Sequence, residues 1–299
     1  MIAFCGYANR DVIVQMDVLP SPGERLQARS IRLYDGGMAA NAAVAAARFG
    51  ADAVFAGAVG ADPESAAFLA ALEREGVSTA WSRTDAFLTH AVVLLDRHGE
   101  RAVVSEDDAL TGDDLEAVLG RLHPGSGHWL YVDGYRWEQP LPARTEARIV
   151  VDIDGCHTAA QVRNAAAAAG HLLGSRRTFE DTCGLSLEEL QEMSRREETT
   201  IVLTRGAGGL DLLEPGRPVR HIPAVRVEAV DDTGAGDCFA GVYVAELALG
   251  QTAAAAATTA AAAAALACTR RGARASPGRA ELRDFLATLQ TVPATHGTH

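Results

Sequence analysis

No lysine occurs among the 299 residues, so all 27 basic side chains are arginines. That absence excludes a P-loop of the Walker type, a Schiff-base lysine, and any phosphotransfer centre built on a strand lysine. Phosphate handled by this chain must meet arginine, backbone N–H groups or metal. Aromatic residues are sparse, at 5%, which leaves little material for a broad aromatic pocket. Cysteines number five, at positions 5, 156, 183, 238 and 268. Their odd count and wide spacing, with no Cys-x-x-Cys pair, argue against a disulfide framework and suit a reducing compartment. The opening MIAFCGYANRDV has no basic segment followed by an apolar one, and no run of about 18 apolar residues reads as a membrane span. A cytoplasmic protein is therefore expected. A formal net charge of −12 and a pI near 5.2 disfavour non-specific binding to nucleic acid or anionic membrane. A local cradle of N–H groups for a small anion stays open.

With 48% hydrophobic residues, the chain has enough apolar material for a packed core. Short β-branched runs (IAFCG, AVFAGAVG, AVVLLD, WLYVDG, RIVVDID, TIVLTRG) read as strands. Helical stretches at about 38–49, 64–75, 159–169 and 186–197 fall between them. Such alternation predicts an α/β fold, with a mostly parallel sheet covered on both faces. Residues of about 12–35 and 88–106 break the pattern. They read as extended strands joined by the turns PSPGE and DRHGE, and predict a small antiparallel flap, or lid, outside the main sheet. The Ala-rich stretch 253–268 predicts a closely packed interior helix. No repeat, long linker or domain boundary is evident, so residues 1–299 read as one domain.

The most informative segment is Val230-Asp231-Asp232-Thr233-Gly234-Ala235-Gly236-Asp237. A short extended run ends at the acidic pair, and the Gly-Ala-Gly turn opens a helix running to about Leu249. Gly234 and Gly236 lack a β-carbon and Ala235 carries only a methyl, so the backbone is able to approach a ligand closely. The first N–H groups of a helix are unpaired and sit at the positive end of its dipole. Such a turn suits an anion, above all the charge that develops on a transferring phosphoryl group. Asp237, beside it, is placed to accept a proton from an attacking hydroxyl. An acidic residue is also favoured in any first helical turn, and the local segment allows both roles.

DDTGAGD followed by a small-residue helix resembles the C-terminal signature of the ribokinase-like (PfkB) carbohydrate kinases. The N-terminal half carries the partner signature, Gly36-Gly37-Met-Ala-Ala-Asn41-AAVAAARFGADAVFAGAVGAD. The resemblance covers essentially the whole chain. It implies a three-layer α/β/α sandwich with a small β-sheet lid, and an ATP- and Mg²⁺-dependent transfer of the γ-phosphate to a primary hydroxyl of a small sugar. It assigns Asp237 as catalytic base, with Gly234, Ala235 and Gly236 as the anion hole. Asn9, Asp11, Gly36, Gly37 and Asn41 match sugar-binding positions, and Asp133, in LYVDGY, matches a polar position beneath the sugar. Thr204, Gly206 and Gly209, in LTRGAGG, match the nucleotide loop. Asp231, Thr233, Ala267, Arg270, Gly272 and Ser276 match a monovalent-cation site that often takes potassium. Plainer readings exist: Asn9 and Asp11 as strand-ending turn formers, Asn41 as a helix cap, and Gly36-Gly37 as an ordinary turn.

Two departures stand out. Many members carry Asn-x-x-Glu to organise magnesium, and here the segment reads Ser175-Arg-Arg-Thr178-Phe-Glu180, leaving Glu180 as the nearest acidic candidate. Ribokinases carry Lys where this chain has Met38. Arg136, in Asp-Gly-Tyr-Arg-Trp, is similar to the ketohexokinase and sulfofructose-kinase branches, where an arginine meets an anionic substrate group. The candidate substrates are therefore ribose, a ketohexose or an acidic sugar. A nucleoside kinase and a catalytically silent sugar-binding homologue are the alternatives. The exposed edge of the lid predicts pairing with a second copy to give a homodimer.

Overall fold

The computed structural model describes residues 1–98, 100–122, 127–134 and 148–291. Strands β1 (Ile2–Cys5), β2 (Asn9–Gln15), β3 (Ser30–Gly36), β4 (Ala53–Ala56), β5 (Thr89–Leu95) and β6 (Arg101–Ser105) fill the first third. They are followed by β7 (Trp129–Val132), β8 (Arg148–Asp152), β9 (His171–Ser175), β10 (Thr200–Thr204), β11 (Leu210–Leu213) and β12 (Arg220–Ile222). The helices are α1 (Met38–Arg48), α2 (Pro63–Arg74), α3 (Gly112–Arg121), α4 (Ala159–Ala168), α5 (Leu187–Glu197), α6 (Ala235–Ala248), α7 (Ala253–Ala267) and α8 (Arg279–Thr291).

The main sheet has eight strands in the order β12-β11-β10-β9-β8-β7-β1-β4. The six from β4 to β10 are parallel, and β11 and β12 add an antiparallel edge that the sequence pattern did not announce. Alternation along each strand sends side chains to opposite faces. Ile2 and Phe4 join a core with α1, α2, α6, α7 and α8, while Ala3 and Cys5 join a second core with α3, α4 and α5. Helices on both faces give the three layers expected of a mostly parallel sheet. In the described segments α3 and α8 are additional to the helices expected.

The helix boundaries follow local chemistry. Thr111, Thr158 and Ser186 each accept the N–H three residues on, in reciprocal capping boxes that start α3, α4 and α5. Asp62 caps α2, whose first residue is Pro63. The Ala-rich α7 lies against α6 in the first core, where short side chains permit close approach. Helices α1 and α6 cross still more closely. A β-carbon on Gly241 would fall on the carbonyl oxygen of Ala42 and crowd the methyl of Ala45.

The lid is a separate four-stranded sheet, β3-β2-β5-β6. It was expected to be antiparallel throughout, but its central pair, β2 and β5, is parallel. The reason is topological: α1, β4 and α2 intervene between β3 and β5, so the chain returns to the lid in the direction of β2 rather than through a hairpin.

Candidate active site

The carboxyl ends of β1, β7, β8, β9 and β10 lie side by side, because the strands are parallel neighbours. In such sheets ligands bind outside the carboxyl ends. The N-terminus of α6 and the inner face of the lid meet at this edge, around a cavity of about 240 Å³. Asn9, Asp11, Gly37, Asn41, Thr89, Glu106, Thr233, Gly234 and Asp237 all line it.

Asn9 and Asp11 are not strand-ending turn formers. They lie two apart on β2, so both point to one face of the lid, and Asn9 Nδ2 donates to Asp11 Oδ1 at 2.7 Å. Gly36 sits opposite Asn9, where a β-carbon would collide with both side chains. Gly37 is the N-cap of α1, which places Asn41 one turn inside the helix rather than at its cap. The Asn41 amide instead spans the cleft: Nδ2 donates to Asp237 Oδ2 at 2.8 Å. Its Oδ1 accepts from Arg274 Nε at 3.0 Å. Arg274 also reaches Asp35 at 3.4 Å and lies over the Phe68 ring. Asp133 is fully buried beneath the β1–β2 turn and accepts the Tyr7 N–H, so its visible task is to hold that turn.

Gly234 caps α6 in the left-handed region, at φ 74°, and a β-carbon there would fall on the Ala273 carbonyl. The Ala235 N–H donates to the Asp232 carbonyl at 3.1 Å, and the first i→i−4 bond of the helix runs from Cys238 to Gly234. The amides of Gly236 and Asp237 therefore precede the helical ladder, and Ala235 contributes less to an anion hole than its position suggested. The Asp237 carboxylate takes its hydrogen bond from Asn41, not from the backbone of its own turn. Burial pushes Asp237 up to about 7; the Asn41 hydrogen bond opposes this, and the nearby carboxylates of Asp154, Asp11 and Asp133 add to it.

Thr204 ends β10, and Gly206 and Gly209, both at positive φ, shape the loop that closes when Arg205 N–H donates to the Gly209 carbonyl. The proposed nucleotide residues thus share one loop. Asp231 takes the Thr233 N–H at 3.0 Å and the Gly272 N–H at 2.9 Å, drawing two parts of the cation set together. The remainder fits a cation only in part. The Ser276 carbonyl and hydroxyl both accept from Arg48 Nη1, at 2.8 and 3.3 Å, and the Ala267 carbonyl accepts the Arg270 N–H. Arg136 lies outside the described residues.

Around the departed motif, the Ser175 and Thr178 hydroxyls turn toward Asp154. Its Oδ1 accepts the Ser175 N–H at 3.0 Å, the Ser175 hydroxyl at 2.9 Å and the Thr178 hydroxyl at 2.5 Å. Glu180, on the π-helical turn Arg177–Thr182, is paired with Arg176 at 3.0 Å. Sequence reasoning missed both Arg274 and Asp154. The acidic pair closing RIVVDID was a usable signal for Asp154, whereas nothing local marks Arg274.

A model of the "pfkB family carbohydrate kinase" matches residues 1–279. The chain is similar to an ATP-dependent ribose-1-phosphate kinase of Halopiger xanaduensis, at 30% identity over 94% of this chain and 96% of that protein. It is also similar to a ribokinase of Bacillus subtilis, at 28% over 95% and 99%. Among solved structures, Arabidopsis thaliana ribokinase complexed with ribose and ATP shares the fold, with a TM-score of 0.77, 21% identity, and coverage of 95% of this chain and 98% of that one. By its whole-length signature, its fold and its relatives, the chain belongs to the pfkB family of carbohydrate kinases.

Proposed function

We propose that this carbohydrate kinase transfers the γ-phosphate of ATP to a primary hydroxyl of a small sugar, with Asp237 as the base. The observation that carries this reading is the Asn41–Asp237 hydrogen bond inside a cavity shared with Asn9, Asp11 and the amino end of α6. Asn9, Asp11 and Asn41 supply mixed donors and acceptors, which fix sugar hydroxyls. Asp237 takes the proton of the hydroxyl that faces it. The oxygen attacks the phosphorus in line, and the amides of Gly234, Gly236 and Asp237 meet the charge that develops. The lid covers the cavity and keeps out water that would otherwise consume ATP. Magnesium, carried with ATP, would neutralise charge between the phosphates, and Asp154 is the carboxylate placed to hold it. Potassium would rest against Asp231 and the Thr233 and Gly272 loops.

The adjoining cleft is lined by Arg32 and Arg271 together with Asp11 and Asp231, so its charge does not by itself select an anionic substituent. A coupled ADP-release assay over ribose, ketohexoses, acidic sugars, ribose 1-phosphate and nucleosides tests the reading. No turnover with any of them would defeat it.

The base has to be ionised to work, so kcat/KM is expected to rise with pH through about 7 and to level above it. Asn41→Ala removes a hydrogen bond that favours the carboxylate. It is expected to move that limb to higher pH and to raise KM for the sugar. A limb left in place would mean that the hydrogen bond does not bear on the base.

We also propose a homodimer through the lid in the cytoplasm. The outer face carries the cross-strand rows Leu33–Val12–Val92–Val104 and Ile31–Val14–Leu94–Ala102. Ile31, Leu33 and Val104 are more than half exposed. Apolar rows of that extent mark an interaction surface. Leu33→Glu with Val104→Glu is expected to give monomers in analytical ultracentrifugation where the parent sediments as a dimer. No helix among the described residues is long and apolar enough to cross a membrane, and all five cysteines are free.

A further inference from the structure

We infer that Asp154 supplies the carboxylate missing from the 175–178 segment, and that it holds the divalent cation carried by ATP between the nucleotide loop and the sugar cavity. The inference rests on the reading of the chain as an ATP-dependent sugar kinase.

Position is the first support. Adjacent parallel strands set an order along the carboxyl edge of the sheet: Thr204 at the end of β10, Ser175 at the end of β9, Asp154 just past β8, Asp133 just past β7. The nucleotide loop lies at one end of that row and the sugar cavity at the other. A phosphate chain reaching from one to the other has to pass Asp154.

The second support is how the side chain is held. Three donors converge on Oδ1: the Ser175 N–H and the Ser175 and Thr178 hydroxyls. No donor among the described residues reaches Oδ2. One oxygen is thus saturated and fixed while the other faces the partly exposed edge of the sheet. A carboxylate held this way suits a hard divalent cation that keeps part of its water shell.

The neighbouring carboxylates are committed elsewhere. Asp237 is bound to Asn41, and Glu180 is paired with Arg176. Asp152 is buried, accepts the Asp154 N–H on Oδ1 and takes the Tyr131 hydroxyl on Oδ2.

The test is calorimetric titration of the full chain with ADP, with and without Mg²⁺. The parent is expected to bind ADP more tightly with the metal. In Asp154→Asn the metal-dependent gain is expected to shrink by about 10–100-fold, the usual effect of losing a group that supports a bound metal. Affinity for metal-free ADP should not fall, because the variant removes a negative charge beside the phosphates and no donor to them. Adding Ser175→Asn and Thr178→Glu to Asp154→Asn should restore the gain.

An undiminished gain in Asp154→Asn, or no metal dependence in the parent, overturns the inference. If Asp154→Asn does not fold, Thr178→Val carries the test, because it frees Oδ1 while keeping the charge. A gain there equal to the parent's overturns the inference as well. Failure of the kinase reading looks different: the parent then turns over no sugar, whatever Asp154→Asn does to ADP binding.

Discussion

Asp237→Asn is expected to lower kcat by about 10²–10⁴-fold, the usual contribution of a positioned base, with KM for the sugar within a few fold of the parent. The amide keeps the shape and the contact with Asn41 but cannot take a proton. The same variant has a second, opposite signature in stability. The folded-state pKa of Asp237, about 7, lies above the ordinary 3.8. Proton binding by Asp237 therefore favours the folded state at low pH, and that support fades as pH rises through about 7. Above 7 the fold carries a buried charge that Asn does not. Asp237→Asn is expected to melt higher than the parent at pH 8 and no higher at pH 4. A merely structural aspartate, if equally buried, would give the same difference in the melting profiles but not the loss of kcat. Turnover within tenfold of the parent would remove Asp237 from the role of base.

Gly241→Ala is expected to be strongly damaging. The new β-carbon would lie on a backbone carbonyl of α1, not on a flexible side chain, so a helix has to move. Overpacking of this kind destabilises by about 1–3 kcal/mol. The damage extends to chemistry. Gly241 is one turn along from Asp237, and Ala45 is one turn along from Asn41, so the crossing lies one turn beneath the 2.8 Å bond that joins the two helices. Forcing α1 and α6 apart lengthens that bond first. Thermal unfolding and kcat/KM should therefore fall together, and a stable variant with full activity would show that the crossing does not set the site.

Much of the site could be read from the sequence because its chemistry is local. Gly234 to Asp237 is a turn and a helix start within four residues, and Gly36 to Asn41 is another. Each carries its own geometric demand. What could not be read depends on contacts distant in the chain. Arg274 looks like one more surface arginine in TRRGAR, and only the fold brings it to Asn41, 233 positions away. Asp154 gains its meaning from two hydroxyls more than twenty residues on. The parallel β2–β5 pair was hidden for the same reason, since alternation reveals a strand's faces but not its partner or direction. The π-helical turn at Arg177–Thr182 left no mark in composition, and the antiparallel edge shows no clear period because β11 is buried throughout and β12 has only three residues. The second, four-stranded sheet, by contrast, was visible because its turns and alternating runs are self-contained.

Asn41 and Asp237 stand 196 positions apart and meet only where α1 and α6 touch. This separation bears on how the molecule is made. During synthesis the strands proposed to read the sugar leave the ribosome long before the amides and carboxylate proposed to carry out the transfer. A partly built chain thus lacks the carboxylate proposed to act on the sugar hydroxyl. Hydrolytic competence arrives with the same docking event that completes the compartment shielding it from solvent.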